Sequence, residues 1–384
     1  MEETASTASV MRVMNERAVF ERIRLLGPVS RPQLAEATGL SKPTISLALA
    51  DLERCGLVRH VGQRTGTSGR AALLYEMRPE AGWVVGVDVG RAWLRVALAN
   101  LAGEVVLRRQ EKSQSREAQK LVAQIAQLVS ATAAEAGLSA DDVTYTVIGS
   151  PGVVDQGSGA MRLASNLSGW NGPGVLEGLR ERLGSALSVE NDINLAALGE
   201  QAHGLGKGVA NFVFVSVGTG IGMGIVVDGQ LYRGARGAAG EIGFLPLGDD
   251  EDATEENAKR RRGSLESVAS ADAVVAAARR LGMNGRPTAK QVFEAARQSD
   301  KAALAAVKAE ADHLARAIAA VTAVLDPELV VVGGGIGRNG DLLLAPIERR
   351  LQKLLSLKPP PIMISALGDD AVVLGALAIA LARA

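Results

Sequence analysis

The sequence predicts an α/β protein in which a small helical N-terminal domain precedes a two-lobed, internally duplicated α/β body. Three observations support this fold class. Three short helical segments and a pair of strand-like segments fill the first 80 residues, and a strand–glycine turn–strand unit occurs twice, about 130 residues apart. Helical stretches separate the remaining strands. The predicted domains are residues 1–80, 83–200 and 201–384, with the C-terminal helix expected to pack back on the first lobe.

The helices of the N-terminal domain can be placed from periodicity and caps. Apolar residues recur at helical spacing over 15–26, and two further helices begin after the capping residues Ser30 and Ser41. A tight turn at Gly39 separates these two helices, which is the arrangement of a helix-turn-helix. The third helix ends near Cys55, which we expect to be a small buried residue.

Strand-like segments at 57–61 and 70–75 flank a glycine-rich tip and predict a β-hairpin, so the domain has the pattern of a winged helix-turn-helix. It holds 11 basic and 9 acidic residues, and such a domain lays its third helix in the major groove of DNA. The predicted DNA contacts are Ser41, Lys42, Thr44, Ser46, Arg64 and Arg70. The alternatives are a small helical domain with incidental surface arginines and a protein-contact module.

The body repeats one layout. An apolar strand, a glycine-bearing turn and a second strand cover residues 83–98, and the same order returns over 212–227. A third glycine cluster follows a strand at 333–337. Because glycine amides can approach a phosphate closely, the three loops indicate an ancestral nucleotide cleft between two lobes. Helices are predicted at roughly 115–136, 173–183, 192–203, 268–281, 301–325, 341–355 and 370–383.

Composition excludes several classes of protein. The 384 residues carry 42 basic and 42 acidic side chains, one cysteine and three histidines, which rules out a disulfide scaffold and leaves no Cys/His cluster for zinc. No apolar stretch reaches the roughly 20 residues of a membrane helix, and the N-terminus lacks the basic and apolar regions of a signal peptide. The sequence therefore predicts a soluble cytoplasmic protein with no membrane partner.

Seven motifs make the chain resemble the ROK family of repressors, open reading frames and sugar kinases. They are GVDVG at 86–90, LASNLSGW at 163–170, VENDIN at 189–194, SVGTGIG at 216–222, GAAGEIG at 237–243, VGGGI at 332–336 and GDDA at 368–371. The resemblance covers nearly the whole chain, and the N-terminal domain resembles that of the family's repressor branch. It implies an actin-like (ribonuclease H-like) two-lobed fold.

The resemblance also implies a sugar site between the lobes. The residues at the family's sugar-binding positions are Asn166, Asn191, Asp192, Glu241 and Glu266. Amides and carboxylates suit this ligand because each sugar hydroxyl both donates and accepts a hydrogen bond. In the family's kinases, the aspartate at the Asp192 position is a general base that removes the proton of the sugar hydroxyl. A helix cap is the alternative role for Asn191 and Asp192.

The chain departs from the family at two places. Phe244 stands where the family has a histidine, and the following segment, 248–263, contains no cysteine, so the family's structural zinc is predicted absent and no cofactor is expected. In the first phosphate loop Arg91 and Ala92 replace a Gly-Thr pair, which argues against ATP transfer, while Thr219 in the second loop leaves nucleotide binding open. The loops are therefore expected to be vestigial at Asp88, Gly90, Gly218, Thr219, Gly220 and Gly334.

Two functions follow from these patterns. The first is a transcriptional regulator, a repressor of carbohydrate uptake or catabolism genes that binds an inverted-repeat DNA operator as a homodimer or dimer of dimers and is not an enzyme. A sugar in the cleft would change its operator affinity, and by analogy with the family's repressors it would release DNA. The second is an ATP-dependent sugar kinase with Asp192 as general base.

Overall fold

The structure is a computed structural model that describes most of the chain. The described residues are 7–65, 71–115, 117–154, 161–162, 167, 169–170, 172, 174–184, 186–247 and 263–384. None of the helices in these ranges combines the length and the apolarity needed to cross a bilayer.

Three helices and a three-stranded antiparallel sheet form the N-terminal domain. Its elements are α1 (Thr7–Leu26), β1 (Val29–Ser30), α2 (Arg31–Thr38), α3 (Lys42–Arg54), β2 (Val58–Thr65) and β3 (Ala71–Met77). The two caps are as predicted, since the N–H of Ser30 donates to the side chain of Gln33 and the hydroxyl of Ser41 accepts from the N–H of Thr44. The sheet order is β1-β3-β2, so the hairpin β2–β3 packs beside the helices.

The core of this domain is small and comes from one face of each helix. Val19 and Ile23 of α1, Leu34 of α2, and Ile45 and Leu49 of α3 are all 0–1% exposed. Burying each of these side chains contributes about 1.5–3 kcal/mol, which is what holds three short helices together.

Two predictions for this domain were wrong. Helix α1 begins eight residues before the predicted start at residue 15, because residues 9–14 are exposed and show no core periodicity. Arg12 in this stretch forms an ion pair with Asp51 of α3. Cys55 is exposed rather than buried, because it follows α3 as its C-cap instead of occupying the apolar stripe.

The first lobe contains a five-stranded sheet in the order β10-β7-β4-β5-β6. Its elements are β4 (Trp83–Val89), β5 (Trp93–Asn100), β6 (Val105–Lys112), α4 (Ala118–Glu135), β7 (Val143–Ser150), a small ribbon of β8 (Val153–Val154) and β9 (Met161–Arg162), α5 (Val175–Leu183), β10 (Leu187–Asn191) and α6 (Asp192–His203).

The second lobe contains a five-stranded sheet in the order β13-β12-β11-β14-β15. Its elements are β11 (Phe212–Val217), β12 (Ile221–Val227), β13 (Gln230–Leu231), α7 (Ser264–Val268), α8 (Ala271–Arg280), α9 (Ala289–Arg297), α10 (Lys301–Leu325), β14 (Leu329–Gly333), α11 (Gly334–Gly337), α12 (Gly340–Leu354), β15 (Ile362–Ile364) and α13 (Ala371–Arg383).

The two sheets have the same topology, as the repeated sequence pattern predicted. In each, an antiparallel hairpin (β4–β5 or β11–β12) is extended on one side by an antiparallel strand and on the other by two parallel strands. Helix α13 packs on β4 and β7 of the first lobe and along α6. The predicted lobe boundary at residue 200 falls inside α6, which also packs on β11 and β12.

Candidate functional site

A cavity of about 280 Å³ lies between the lobes, where the hairpin turns of the two sheets face each other. Four of the five predicted sugar-binding residues line it: Asn191, Asp192, Glu241 and Glu266. The fifth, Asn166, lies outside the described residues, although its neighbour Leu167 lines the same cavity. The parallel strands end at this edge of each sheet, which is where ligands bind in open α/β folds.

The start of helix α6 positions two of these residues. The side-chain oxygen of Asn191 caps the helix by accepting from the N–H groups of Ile193 (2.9 Å) and Asn194 (3.0 Å). Its side-chain nitrogen donates to the carbonyl of Gly152 at 2.9 Å. Asp192 is the first helical residue and accepts from the N–H of Ile193 at 2.9 Å. The capping role therefore applies to Asn191, while Asp192 lines the cavity.

The carboxylates of the cleft raise one another's pKa. Burial raises the pKa of Asp192 to about 7, and the nearby carboxylates of Asp88 and Glu241 add to the rise. Burial also raises the pKa of Glu241, with a smaller contribution from Glu266. Near neutral pH, Asp192 is therefore able to act as acceptor or as donor, which suits a hydroxyl-bearing ligand.

An ion pair that the sequence reasoning missed joins the lobes behind the cleft. Arg233 donates to Glu190 at 2.7 Å, and the other oxygen of Glu190 accepts from the side chain of Asn194 at 3.1 Å. Arg233 lies just before the loop that carries Glu241, so the pair ties this loop to the end of β10. The available signal was Glu190, a charged residue within the VENDIN motif, and the motif gave no indication of its partner.

The first phosphate loop contains an ion-pair network. Asp88 lies directly opposite Arg95 on the neighbouring strand and accepts from it at 3.0 Å. Arg95 also lies 3.2 Å from Asp369, and Asp369 pairs with Arg338 of the second lobe. Burial raises the pKa of Asp88 to about 6, against the opposing effect of Arg95. Arg91, next in this loop after Gly90, lines the cavity. Arg95 was not among the predicted residues.

In the second phosphate loop, glycines leave the backbone accessible from the cleft. Gly218, Thr219 and Gly220 line the cleft, and a Cβ on Gly220 would lie 2.7 Å from the carboxylate of Glu266. Gly334 has a φ of +82°, and any side chain there would overlap the carbonyl oxygen of Val217. Gly218 and Thr219 also border a second cavity of about 570 Å³.

The residues at the family's zinc position do not fit a zinc ion. Phe244 offers no ligand atom and is half exposed, and the only cysteine of the chain, Cys55, lies in the N-terminal domain. Residues 248–262 of the following segment lie outside the described residues. The described ranges contain no group of three His, Cys, Asp or Glu residues able to hold a metal ion.

The predicted DNA-contacting residues fall into two groups. Ser41, Lys42, Thr44 and Ser46 lie at the start of α3, where Ser41 and Lys42 are exposed and the hydroxyls of Ser41 and Thr44 lie 2.8 Å apart. In the hairpin, Arg70 and the side chain of Arg64 lie outside the described residues.

Together, the duplicated sheets and the cleft between them define an actin-like fold of the kind found in sugar kinases. The chain belongs to the ROK family, whose profile matches residues 84–383. It is 25% identical over 386 aligned residues to the xylose repressor of Caldicellulosiruptor bescii, covering 96% of each chain. It is 33% identical over 310 residues to the glucokinase of Halalkalibacterium halodurans, covering 76% of this chain and 93% of that protein.

A solved structure extends the likeness to the fold of nearly the whole chain. A ROK family transcriptional regulator, a homologue of the Escherichia coli MLC protein, superposes with a TM-score of 0.75 at 23% identity. The match covers 97% of this chain and 96% of that one.

Proposed function

We propose that the protein is a sugar-responsive transcriptional repressor whose N-terminal winged helix-turn-helix binds an operator. The observation that carries the proposal is the extent of the match to the xylose repressor. The unmatched 4% amounts to about 15 residues, so the alignment includes most of the segment before residue 84, where the family profile begins. The glucokinase is matched over only 76% of the chain.

The first phosphate loop supports a regulator over an enzyme. Phosphoryl transfer relies on metal ions that carboxylates hold against the phosphates of the nucleotide. Here the carboxylate of Asp88 is held by Arg95, and Arg91 occupies the cavity wall. Both arginines bring positive charge to this loop, and Arg91 stands where the ROK kinases have the glycine of a Gly-Thr pair.

A physical route connects the sugar cleft to the N-terminal domain. Asn191 and Asp192 begin α6, and α6 packs along α13 so closely that a Cβ on Gly375 would overlap the carbonyl oxygen of Leu195. At the far end of α13, the carbonyl of Ala382 accepts from Arg17 of α1 at 2.9 Å. We propose that sugar binding shifts α6 and α13 as a unit. This shift would change the spacing between the two N-terminal domains of a dimer on an inverted repeat.

The test uses the full-length chain and duplexes selected from a random DNA library. Xylose and glucose serve as probes, and the expected result is that one of them weakens operator binding at least tenfold. Glu241→Gln is expected to reduce that response without changing operator affinity in the absence of sugar. Failure to select any duplex sequence would overturn the proposal.

A sugar kinase is the second candidate, because Asp192 has a pKa near 7 and the glucokinase is a relative. A phosphotransfer assay with ATP and the same sugars separates the two functions. Sugar-dependent ATP consumption that disappears in Asp192→Asn would establish the kinase, and we expect none from the wild-type chain.

A further inference from the structure

Helix α3 presents an apolar strip to solvent on the face opposite its core. Pro43, Leu47 and Ala50 are spaced at i, i+4 and i+7 and are all exposed, Leu47 by 54%. The buried face of the same helix already supplies the domain core through Ile45 and Leu49. Leu47 therefore lies on the outer face of the helix, and packing within the domain does not explain why an apolar side chain is found there.

The polar groups around this strip are few. The hydroxyls of Ser41 and Thr44 lie 2.8 Å apart and serve the helix cap. At the other end of the helix, Arg54 is paired with Asp51, and Glu53 is exposed. Lys42 and Ser46 are the remaining polar side chains that flank the strip on the first two turns, so the centre of this outer surface is apolar.

The apolar group that base pairs present in the major groove of DNA is the C5-methyl of thymine. A helix that enters the groove by its N-terminal turns places Lys42 near the phosphates and Leu47 against the base edges. We propose that Leu47 contacts a thymine methyl in each operator half-site and makes the protein select thymine at that position. This inference rests on the DNA-binding function proposed above.

The experiment removes the methyl group alone. The probe is the tightest duplex selected by the full-length chain, with thymines replaced one at a time, symmetrically in both half-sites, by deoxyuridine, which keeps every hydrogen-bonding group. At one position, the replacement is expected to weaken binding about fourfold for each half-site, and therefore roughly 15-fold when both half-sites are changed. This is the effect of losing one buried methyl group per half-site. In Leu47→Ala, the same replacement should change affinity by less than twofold.

Leu25→Ala is the matched control. Leu25 is 67% exposed in the same domain but lies on α1, so this variant should keep the full dependence on the methyl group. Unfolding temperatures of both variants equal to that of the wild type would show that neither variant loses its fold.

The outcomes separate this inference from the proposed function. Selection of no duplex would overturn both. A selected duplex that tolerates deoxyuridine everywhere, or a methyl dependence that persists in Leu47→Ala, would overturn the role of Leu47 and leave the repressor intact. A variant that binds each duplex normally but loses self-association would show that a second copy of the chain, rather than DNA, covers the strip.

Discussion

The two lobes share one strand order but treat their buried charges and glycine loops differently. In the first lobe, the buried carboxylate of Asp88 has an ionic partner in Arg95, and the loop beside it carries arginine. In the second lobe, the loop keeps its bare backbone, and the buried carboxylate of Glu310 on α10 has no hydrogen-bond partner among the described residues. The two lobes therefore share the framework of the sheets and differ in the charges inside them.

Gly334→Ala tests whether the backbone of the glycine loop after β14 tolerates a side chain. A Cβ at a φ of +82° is strained, and it would also overlap the backbone of Val217. We expect a loss of about 4 kcal/mol in the free energy of unfolding, measured by urea denaturation. Gly335→Ala is the control, because a Cβ there would meet nothing within 4 Å. Equal losses in the two variants would contradict the argument.

Arg95→Met tests the ion pair of the first lobe. The substitution keeps an apolar stem but leaves Asp88, which is 5% exposed, without its cationic partner. Removing one partner of a buried pair costs about 3 kcal/mol. Because Arg95 opposes the rise in the pKa of Asp88, the loss should be larger at pH 8 than at pH 5, where Asp88 is protonated. Adding Asp88→Asn should restore most of the stability, and a double variant as unstable as Arg95→Met would refute the pairing.

The fold could be predicted from the sequence where a pattern is local or repeated. The caps at Ser30 and Ser41 and the two strand–glycine turn–strand units gave the elements and the duplication, because each depends on residues a few positions apart. The start of α1 could not be predicted in this way, since an exposed helix leaves no apolar periodicity.

The residues of the candidate site also fall into two groups, those that the sequence predicted and those that it did not. Motifs identified Asp192 and Glu241, which the fold brings to one cavity from two lobes. The partners of the buried charges were not predicted, because Arg95 and Arg233 reach their carboxylates only when the strands pair or the two lobes pack together. A pairing across two elements has no signature within either of them.

Glu310→Gln tests the unpaired carboxylate of the second lobe. Glu310 is 2% exposed, and burial raises its pKa from 4.5 to about 8. Between these two values the folded protein holds a proton that the unfolded chain has released, so the free energy of unfolding falls as the pH rises. We expect the wild type to lose about 2 kcal/mol between pH 6 and pH 8 through this group, and Glu310→Gln to lose correspondingly less. Parallel pH profiles of the two proteins would contradict the assignment.

Arg338→Ala tests the outer end of the ion-pair network that runs from Asp88 through Arg95 and Asp369, and should have the smallest effect. Arg338 and Asp369 are 53% and 54% exposed, so their attraction is screened by water and salt. Asp369 also keeps Arg95 at 3.2 Å when Arg338 is removed. We expect a change below about 0.5 kcal/mol in 0.15 M salt. A loss as large as that of Arg95→Met would mean that the Asp88–Arg95 pair depends on Arg338 of the second lobe. The ionic pairing would then no longer be a property of the first lobe alone, and the contrast between the lobes would fail.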